Sequence, residues 1–336
     1  VDWPELIGVD VYSKPGQGFS RAARLLGHLL RRQRVFVVGA DCIYGHYSIP
    51  NSVQLITLAD LFARCGAVST IVGSSYKDGA ATETGEALRT LARGVKLCAR
   101  DPDSGERMRD RTDHPVEVVA DAAFLLTPDQ ERIPEAAIRW IESQRADGQL
   151  ILAVNFNRQV IKNDDQAQRA LFDSYAEALR RLIDDNRVSV LFVPHDYRGD
   201  ESDLTNAHEL YERLGGKENE RVLVAPGRLA PSVAKAMVSH ADVTLTGRMH
   251  LAIGCLGVGT PPACVTYQGK FEGLFKHFGL EGMTLDPQSA SDPAALAGLV
   301  GSVLERREML RSTIMERKPS ILDLSHKNLE PGITGV

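Results

Sequence analysis

The sequence predicts an α/β protein made of two doubly wound parallel-sheet domains. Three observations carry that expectation. Short apolar runs alternate with segments of helical periodicity along nearly the whole chain. The runs are apolar at consecutive positions, as strands buried on both faces require. At 336 residues the chain exceeds what one hydrophobic core usually serves, so two such alternations are expected.

Taken in order, residues 1–18 are punctuated by Gly and Pro and read as a strand end and loop. Residues 19–32 carry Ala22, Leu25, Leu26, Leu29 and Leu30 at helical spacing. They end in a basic RRQR tail suited to the helix dipole. A strand over 35–38 empties into the polar loop 39–48 (GADCIYGHYS), and a helix capped by Asn51 or Ser52 follows over 51–63. Strands over 68–72, 95–99 and 116–120 alternate with helical stretches, the last strand ending at Asp121. The charged stretch 128–148 reads as the inter-domain passage with one helix, placing the domains at 1–145 and 146–336.

A second alternation follows. Strands are expected over 150–155, 188–193, 221–224, 243–246 and 263–266, with a short one near 283–285. Helices are expected over 164–185, 201–214, 231–239, 249–256 and 270–278, with one long final helix over 292–315. Two successive Rossmann-like domains facing a cleft make a GT-B-like architecture. Sheets of this kind bind ligands at the carboxyl ends of their strands.

Composition narrows the function classes. Hydrophobic and charged contents of 43% and 25% are ordinary for a soluble globular protein. A net charge of −5 and a pI near 6.0 argue against a general nucleic-acid binder. No apolar run approaches the roughly 20 residues of a membrane helix. The five cysteines (42, 65, 98, 255 and 264) form no CxxC pair and read as reduced residues of a cytoplasmic protein. The chain opens at Val1 without Met or a signal-peptide pattern, so an earlier segment is expected to precede it.

The stretch 242–273, DVTLTGRMHLAIGCLGVGTPPACVTYQGKFEG, organises the rest. A buried strand runs through Gly247-Arg248 into a small-residue helix, whose free N–H groups attract anions. Arg248 and His250 stand at that point. Arg158, the loop from His195 to Asp203, Tyr267 and Lys270 follow other strands on the same rim. Two arginines and a lysine suit an anionic substrate. His250, oriented by Asp203, suits acid/base work. Each residue taken alone has a plainer reading. Arg248 is an anion ligand or the partner of Asp242 or another carboxylate. His250 is an acid/base group or a helix-start cap. Lys270 alone is a solvated lysine, and HDYRGDESD alone is a solvated loop whose Glu201, Ser202 and Asp203 cap the next helix. Asp196 and Asp200 lack the accompanying His or Cys spacing of a metal site. Gly254, Gly257 and Gly259 fall inside or after a helix, unlike a dinucleotide-binding GxGxxG.

Together these residues resemble the polysaccharide pyruvyl transferase family, over roughly residues 33–280. The specific part is Gly247-Arg-Met-His250, then Gly259-Thr-Pro261, then Tyr267-Gln-Gly-Lys270-Phe-Glu-Gly273. The family typically reads Ser-Arg-aliphatic-His, Gly-x-Pro and Tyr-x-x-Lys-x-x-Gly there. Pro194-His195 with Asp203, and Arg100-Asp101-x-x-Ser104 with Asp121, are supporting matches. Gly247 stands where the family usually has Ser, and the family's early Gly-Asn-x-Gly-Asp loop has no counterpart.

The resemblance implies transfer of a pyruvyl group from phosphoenolpyruvate to two hydroxyls of a sugar, with release of phosphate. His250 and Asp203 would be catalytic, His250 in acid/base work and Asp203 orienting it or the acceptor. Arg248, Met249, Arg158, Lys270 and His195 would bind the donor. Asp41, Tyr44, His46 and Tyr47 would bind the acceptor, a sugar, glycan or lipid-linked oligosaccharide. No metal or cofactor is implied. Peripheral association with the cytoplasmic membrane face is compatible with a lipid-linked acceptor. Two rival readings remain at this point: a GT-B glycosyltransferase using a nucleotide sugar, and a catalytically silent carbohydrate-binding member of the fold.

Overall fold

The computed structural model describes residues 34–161, 163–185, 188–199, 202–266 and 271–330. The helix expected over 19–32, Tyr267 and Lys270 lie outside them. The described residues divide into two compact units, 34–98 with 107–117, and 99–106 with 118–330. The boundary expected at 145/146 therefore falls inside the second unit. The helix just before it buries Ala137 and Ile141 in that unit's core.

The first unit holds a four-stranded sheet, β1 (Arg34–Val38), β2 (Val68–Ser74), β3 (Val95–Ala99) and β4 (Val116–Val118), side by side in that order. β1 and β2 run parallel, with Arg34 opposite Val68. Helix α1 (Ile49–Arg64) is started by the Ser48 hydroxyl, which accepts from Asn51 N, and by Pro50 in its first turn. Its Leu55, Ile56, Ala59 and Phe62 recur at helical spacing and are buried. Helices α2 (Thr82–Arg89) and α3 (Pro102–Arg109) follow in the chain.

The second unit carries α4 (Glu135–Ala146) and is built on a six-stranded sheet. Its strands are β5 (Leu150–Asn155), β6 (Val188–Phe192), β7 (Val222–Val224), β8 (Val243–Thr246), β9 (Pro262–Val265) and β10 (Thr284–Leu285). They stand in the order β10-β9-β8-β5-β6-β7, every neighbouring pair parallel. Chain order therefore reverses between β5 and β8.

Burial explains the near-continuous apolar runs. Ile151 and Ala153 of β5 join one core cluster, while Leu152 and Val154 join another. In β6, Leu191 and Val193 face the first cluster, and Val188, Val190 and Phe192 the second. Helices therefore cover both faces. α5 (Asp165–Asp185), without Gly or Pro, buries Leu171, Phe172, Tyr175, Leu179 and Leu182 on one side. α4 and α7 (Pro231–Val238) cover the other. Between α5 and α7 in the chain lies α6 (Asp203–Arg213), whose N-cap Ser202 accepts from Thr205 N at 3.2 Å. α8 (Met249–Val258) follows β8 and stops at Gly259, whose φ of +87° makes the usual left-handed C-terminal stop. α9 (Glu272–Phe278) follows β9.

The chain ends differently from the expectation. A short α10 (Pro287–Ala290) follows β10, and the single final helix is two, α11 (Pro293–Glu305) and α12 (Arg307–His326). They meet at Arg306, held at φ −92° and ψ 4°, outside the helical well. α12 runs past the expected end at 315 and through Pro319, which has no N–H to give to the helix. Burial of Ile321 and Ser325, with Ser325 Oγ donating to the Asp121 carbonyl at 3.0 Å, holds it together beyond the proline. No helix among the described residues is long and apolar enough to cross a membrane.

Candidate functional site

The reversal of strand order between β5 and β8 is the point where a doubly wound sheet opens a crevice at its carboxyl edge. Asn155 is the last residue of β5, and Thr246 the last of β8. Asp203, at the start of α6, joins them there. All three are buried, Asp203 at 2% exposure and Asn155 at 1%.

A buried carboxylate needs partners, and Asp203 has a full set. Arg248 Nη2 donates to its Oδ1 at 2.7 Å, and Arg248 Nε lies 3.3 and 3.2 Å from the two oxygens. Oδ2 also accepts from Asn155 Nδ2 at 2.9 Å and from the backbone N–H groups of His195 and Asp196 at 3.2 and 2.9 Å. This corrects the sequence expectation. Asp203 grips Arg248, and His250 is not among its partners.

Gripping from the side determines what Arg248 can still do. Nε and one Nη2 proton are committed to Asp203. Nη1 stands 3.6 Å from Asp196 Oδ2, beyond hydrogen-bond distance. The Asp196 carboxylate is itself engaged by Arg198, whose Nε and Nη2 donate to it at 2.9 and 2.8 Å. That pairing holds the Asp196 carboxyl well below its usual range, with Arg248 adding to the effect. On the outer edge of Arg248, Nη1 therefore makes no hydrogen bond among the described residues, only the longer ion pair with Asp196.

Arg248 also stands at the N-cap of α8. No side chain caps that helix, and its first turn carries no acid. The first N–H groups of a helix have no intrahelical partner, and the dipole favours negative charge there. His250 lies in this first turn and is exposed. His195, half-buried on the neighbouring loop, has its imidazole pushed below the ordinary histidine value, chiefly by burial and then by nearby His250.

Two other predicted donor residues, Arg158 and Met249, have partners of their own. Arg158 Nη2 lies 3.6 Å from Glu209, and its guanidinium sits 5.6 Å over the Phe172 ring. It braces α5 against α6 and does not join the Asp203–Arg248 pair. The Met249 side chain meets a residue from much earlier in the chain, its sulfur accepting from Arg100 Nη2 at 3.1 Å. Arg100, 3% exposed, also pairs with Asp121 at 3.2 Å. Asp101 accepts from Ser104 N and Oγ, both at 2.8 Å. It also lies where a Cβ on Gly273 would be, 2.7 Å from that position. The Arg100–Ser104 and Asp121 matches, assigned to the first domain by sequence, thus belong to the second unit, packed on the motif itself.

Comparison with protein-family models finds that polysaccharide pyruvyl transferase matches residues 6–269, most of the chain. The chain belongs to the polysaccharide pyruvyl transferase family. It is therefore a transferase of polysaccharide pyruvylation. No curated protein matches the chain. Among solved structures it is similar to an α,α-trehalose-phosphate synthase (UDP-forming) from Burkholderia vietnamiensis, at 13% identity and a TM-score of 0.54, covering 91% of this chain and 76% of that one. Anabaena HepE in complex with UDP and glucose is similar at 11% identity and a TM-score of 0.51, covering 94% and 82%. S. aureus MnaA with UDP is similar at 12% identity and a TM-score of 0.53, covering 92% and 81%. At such identities the likeness establishes the fold, which is GT-B-like.

In the first unit, this pyruvyl transferase carries the loop proposed for the acceptor. Gly39 allows the loop to leave β1, because a Cβ there would stand 1.9 Å from Ser74 Oγ. The Ser52 hydroxyl donates to the Cys42 carbonyl and accepts from Gly45 N at 3.1 Å. Tyr44 is buried and stacks on His46 at 5.9 Å, and Tyr47 meets His46 edge-on at 4.9 Å. Asp41 is half-buried, whereas His46 and Tyr47 are exposed. Sequence reasoning passed over Asn155 and Thr246. Their signal was present, a polar residue closing each of two otherwise buried strands that flank the switch point.

Proposed function

We propose that this pyruvyl transferase takes phosphoenolpyruvate as donor and forms a pyruvate ketal on a sugar of a glycan or glycan precursor. One observation carries the reading. Arg248, whose Nη1 makes no hydrogen bond among the described residues, stands at the uncapped N-terminus of α8, two positions before exposed His250. A donor with both a carboxylate and a phosphate has two anions for these two binding elements.

In this reading C3 of the enol takes a proton and C2 becomes electrophilic. A sugar hydroxyl adds to C2 and gives up its proton, and the C2–oxygen bond to phosphate breaks with phosphate leaving. A second hydroxyl then closes the ketal. In this reading His250 moves these protons, with His195 near it. The helix N-terminus and Arg248 stabilise charge that grows on the leaving phosphate. His46 and Tyr47 offer rings against which the apolar face of a sugar can pack.

The deciding experiment titrates the protein with phosphoenolpyruvate and, separately, with UDP-glucose. It then assays a panel of sugar acceptors for phosphate release and a mass gain of one pyruvyl ketal. Binding of phosphoenolpyruvate with ketal formation is expected. Tight UDP-sugar binding without phosphoenolpyruvate binding would overturn the reading in favour of a nucleotide-sugar glycosyltransferase.

A further inference from the structure

We infer that Asn155 and Thr246 are positioning residues that set the aim of Arg248, and that they act on donor binding through it alone. The inference rests on the donor reading above for its kinetic consequence, but its geometric content stands without it. Asn155 spends both ends of its amide at the switch point. Nδ2 donates to Asp203 Oδ2 at 2.9 Å and approaches the Val193 carbonyl at 3.3 Å, while Oδ1 accepts from Thr246 Oγ1 at 3.2 Å. Thr246 Oγ1 in turn accepts from the backbone N–H of Arg248 at 3.0 Å. A closed circuit results, running from Arg248 N through Thr246, Asn155 and Asp203 back to the Arg248 guanidinium.

The circuit fixes both ends of one side chain. Thr246 holds the Arg248 backbone at the start of α8, and Asp203 holds its guanidinium. Asn155 ties the two anchors across β5, β6 and β8. All three residues are at most 2% exposed, so water does not substitute for a missing member without opening the sheet edge. A long arginine otherwise samples many rotamers, and a two-pronged donor is useful to an anion only in one orientation. An amide is needed at 155 because one atom must donate to a carboxylate while the other accepts from a hydroxyl. Asp, Leu or Ala cannot do both.

The test uses the full chain carrying Thr246→Val, nearly isosteric with threonine, Thr246→Ser, and Asn155→Ala. Each is combined with Arg248→Ala. Arginine Nε–H exchange with solvent is followed by NMR, the Arg248 signal being identified by its loss in Arg248→Lys. Thr246→Val and Asn155→Ala should accelerate Arg248 Nε–H exchange several-fold and raise the phosphoenolpyruvate KM at least 10-fold with the sugar KM unchanged. Thr246→Ser should restore both. In the Arg248→Ala background neither change should alter the donor KM further. Unchanged Nε–H exchange, or donor-KM effects that persist in the Arg248→Ala background, would overturn the inference. Absence of phosphoenolpyruvate binding by the unmodified protein would instead overturn the donor reading, and the exchange data alone would then decide this one.

Discussion

Asp203 holds Arg248 side-on, with Nη2 at 2.7 Å from Oδ1 and Nε spanning both carboxylate oxygens. Hydrogen bonds to charged groups contribute about 1.5–3 kcal/mol each. Losing the carboxylate charge should therefore loosen the grip without vacating the space. Asp203→Asn is expected to raise the phosphoenolpyruvate KM by about 10- to 100-fold. Both limbs of the pH–rate profile should stay in place, because Asp203 has no proton-transfer partner in the site. A variant that instead lost a limb at unchanged donor KM would return Asp203 to an acid/base role.

Arg248 and His250 stand two residues apart and should fail in different ways. Arg248→Lys replaces a planar fork with a point charge, weakening donor binding by about 10-fold or more while chemistry on bound donor persists. His250→Ala should abolish phosphate release and leave donor affinity within about threefold. His250 is exposed, so the melting temperature should hardly change. Steady-state kinetics beside a thermal melt separates the two. Normal turnover by the His250 variant would remove it from the mechanism.

The second unit was legible because burial on both sheet faces makes central strands such as β5 and β6 nearly unbroken apolar runs, and because helices such as α5 keep their apolar positions in step. The motif at Arg248 and His250 was legible for a local reason, a strand passing straight into a helix with a cation at the junction. Partnerships were less so. Nothing in the spacing of Arg158 distinguishes a guanidinium lying on Phe172 from one facing an anion. Nor does the sequence show that Arg100, about 150 positions before Met249, ends up against its sulfur. The domain boundary was misplaced for a similar reason. A charged, polar stretch such as 128–148 looks like a linker until its buried Ala137 and Ile141 are seen inside a core.

Arg158 gives a direct check on that correction. Its half-buried guanidinium is occupied by Phe172 and Glu209, so Arg158→Ala should cost stability and spare donor binding. Cation–π contacts of this kind contribute about 0.5–2 kcal/mol. A loss of about 1 kcal/mol by urea unfolding is expected, with the phosphoenolpyruvate KM within about twofold of the parent. A tenfold rise in that KM would restore Arg158 to the donor site.

Gly247 stands where relatives usually carry serine, and its surroundings explain why serine would fit poorly here. A Cβ at this position would lie 3.0 Å from Val160 Cγ1, 3.2 Å from Asn157 Cβ and 3.3 Å from the Val265 carbonyl. Asn157 Nδ2 also approaches the Gly247 carbonyl at 3.3 Å. Overpacking of this kind typically costs about 1–3 kcal/mol. Gly247→Ser is expected to lose about 1 kcal/mol of stability and gain no donor affinity. A more stable variant with tighter phosphoenolpyruvate binding would show that the glycine is a defect and not an accommodation.

Lys235 supplies the clearest pH prediction. It is 4% exposed, its Nζ donates to the Phe124 carbonyl at 3.0 Å, and the space it fills is kept open by Gly257. Among the described residues no carboxylate pairs with it. Burial, reinforced by Lys318, lowers its pKa from 10.5 to about 8. Between those two values the unfolded chain binds the extra proton, so this residue's contribution to stability rises with pH. Below pH 8 the lysine is charged in both states and its full burial penalty is felt; by pH 10.5 most of it is gone. A shift of this size corresponds to about 3 kcal/mol. Buried Cys255, pushed up to about 12 chiefly by burial with Lys235 as a lesser, lowering influence, opposes the trend above pH 9 in both proteins, so the informative quantity is a difference. The stability gap between the parent and Lys235→Met, measured by urea unfolding from pH 7.5 to 10.5, should shift by about 3 kcal/mol in favour of the parent. A gap that stays flat across that range would mean that Lys235 keeps its ordinary proton affinity in the folded protein.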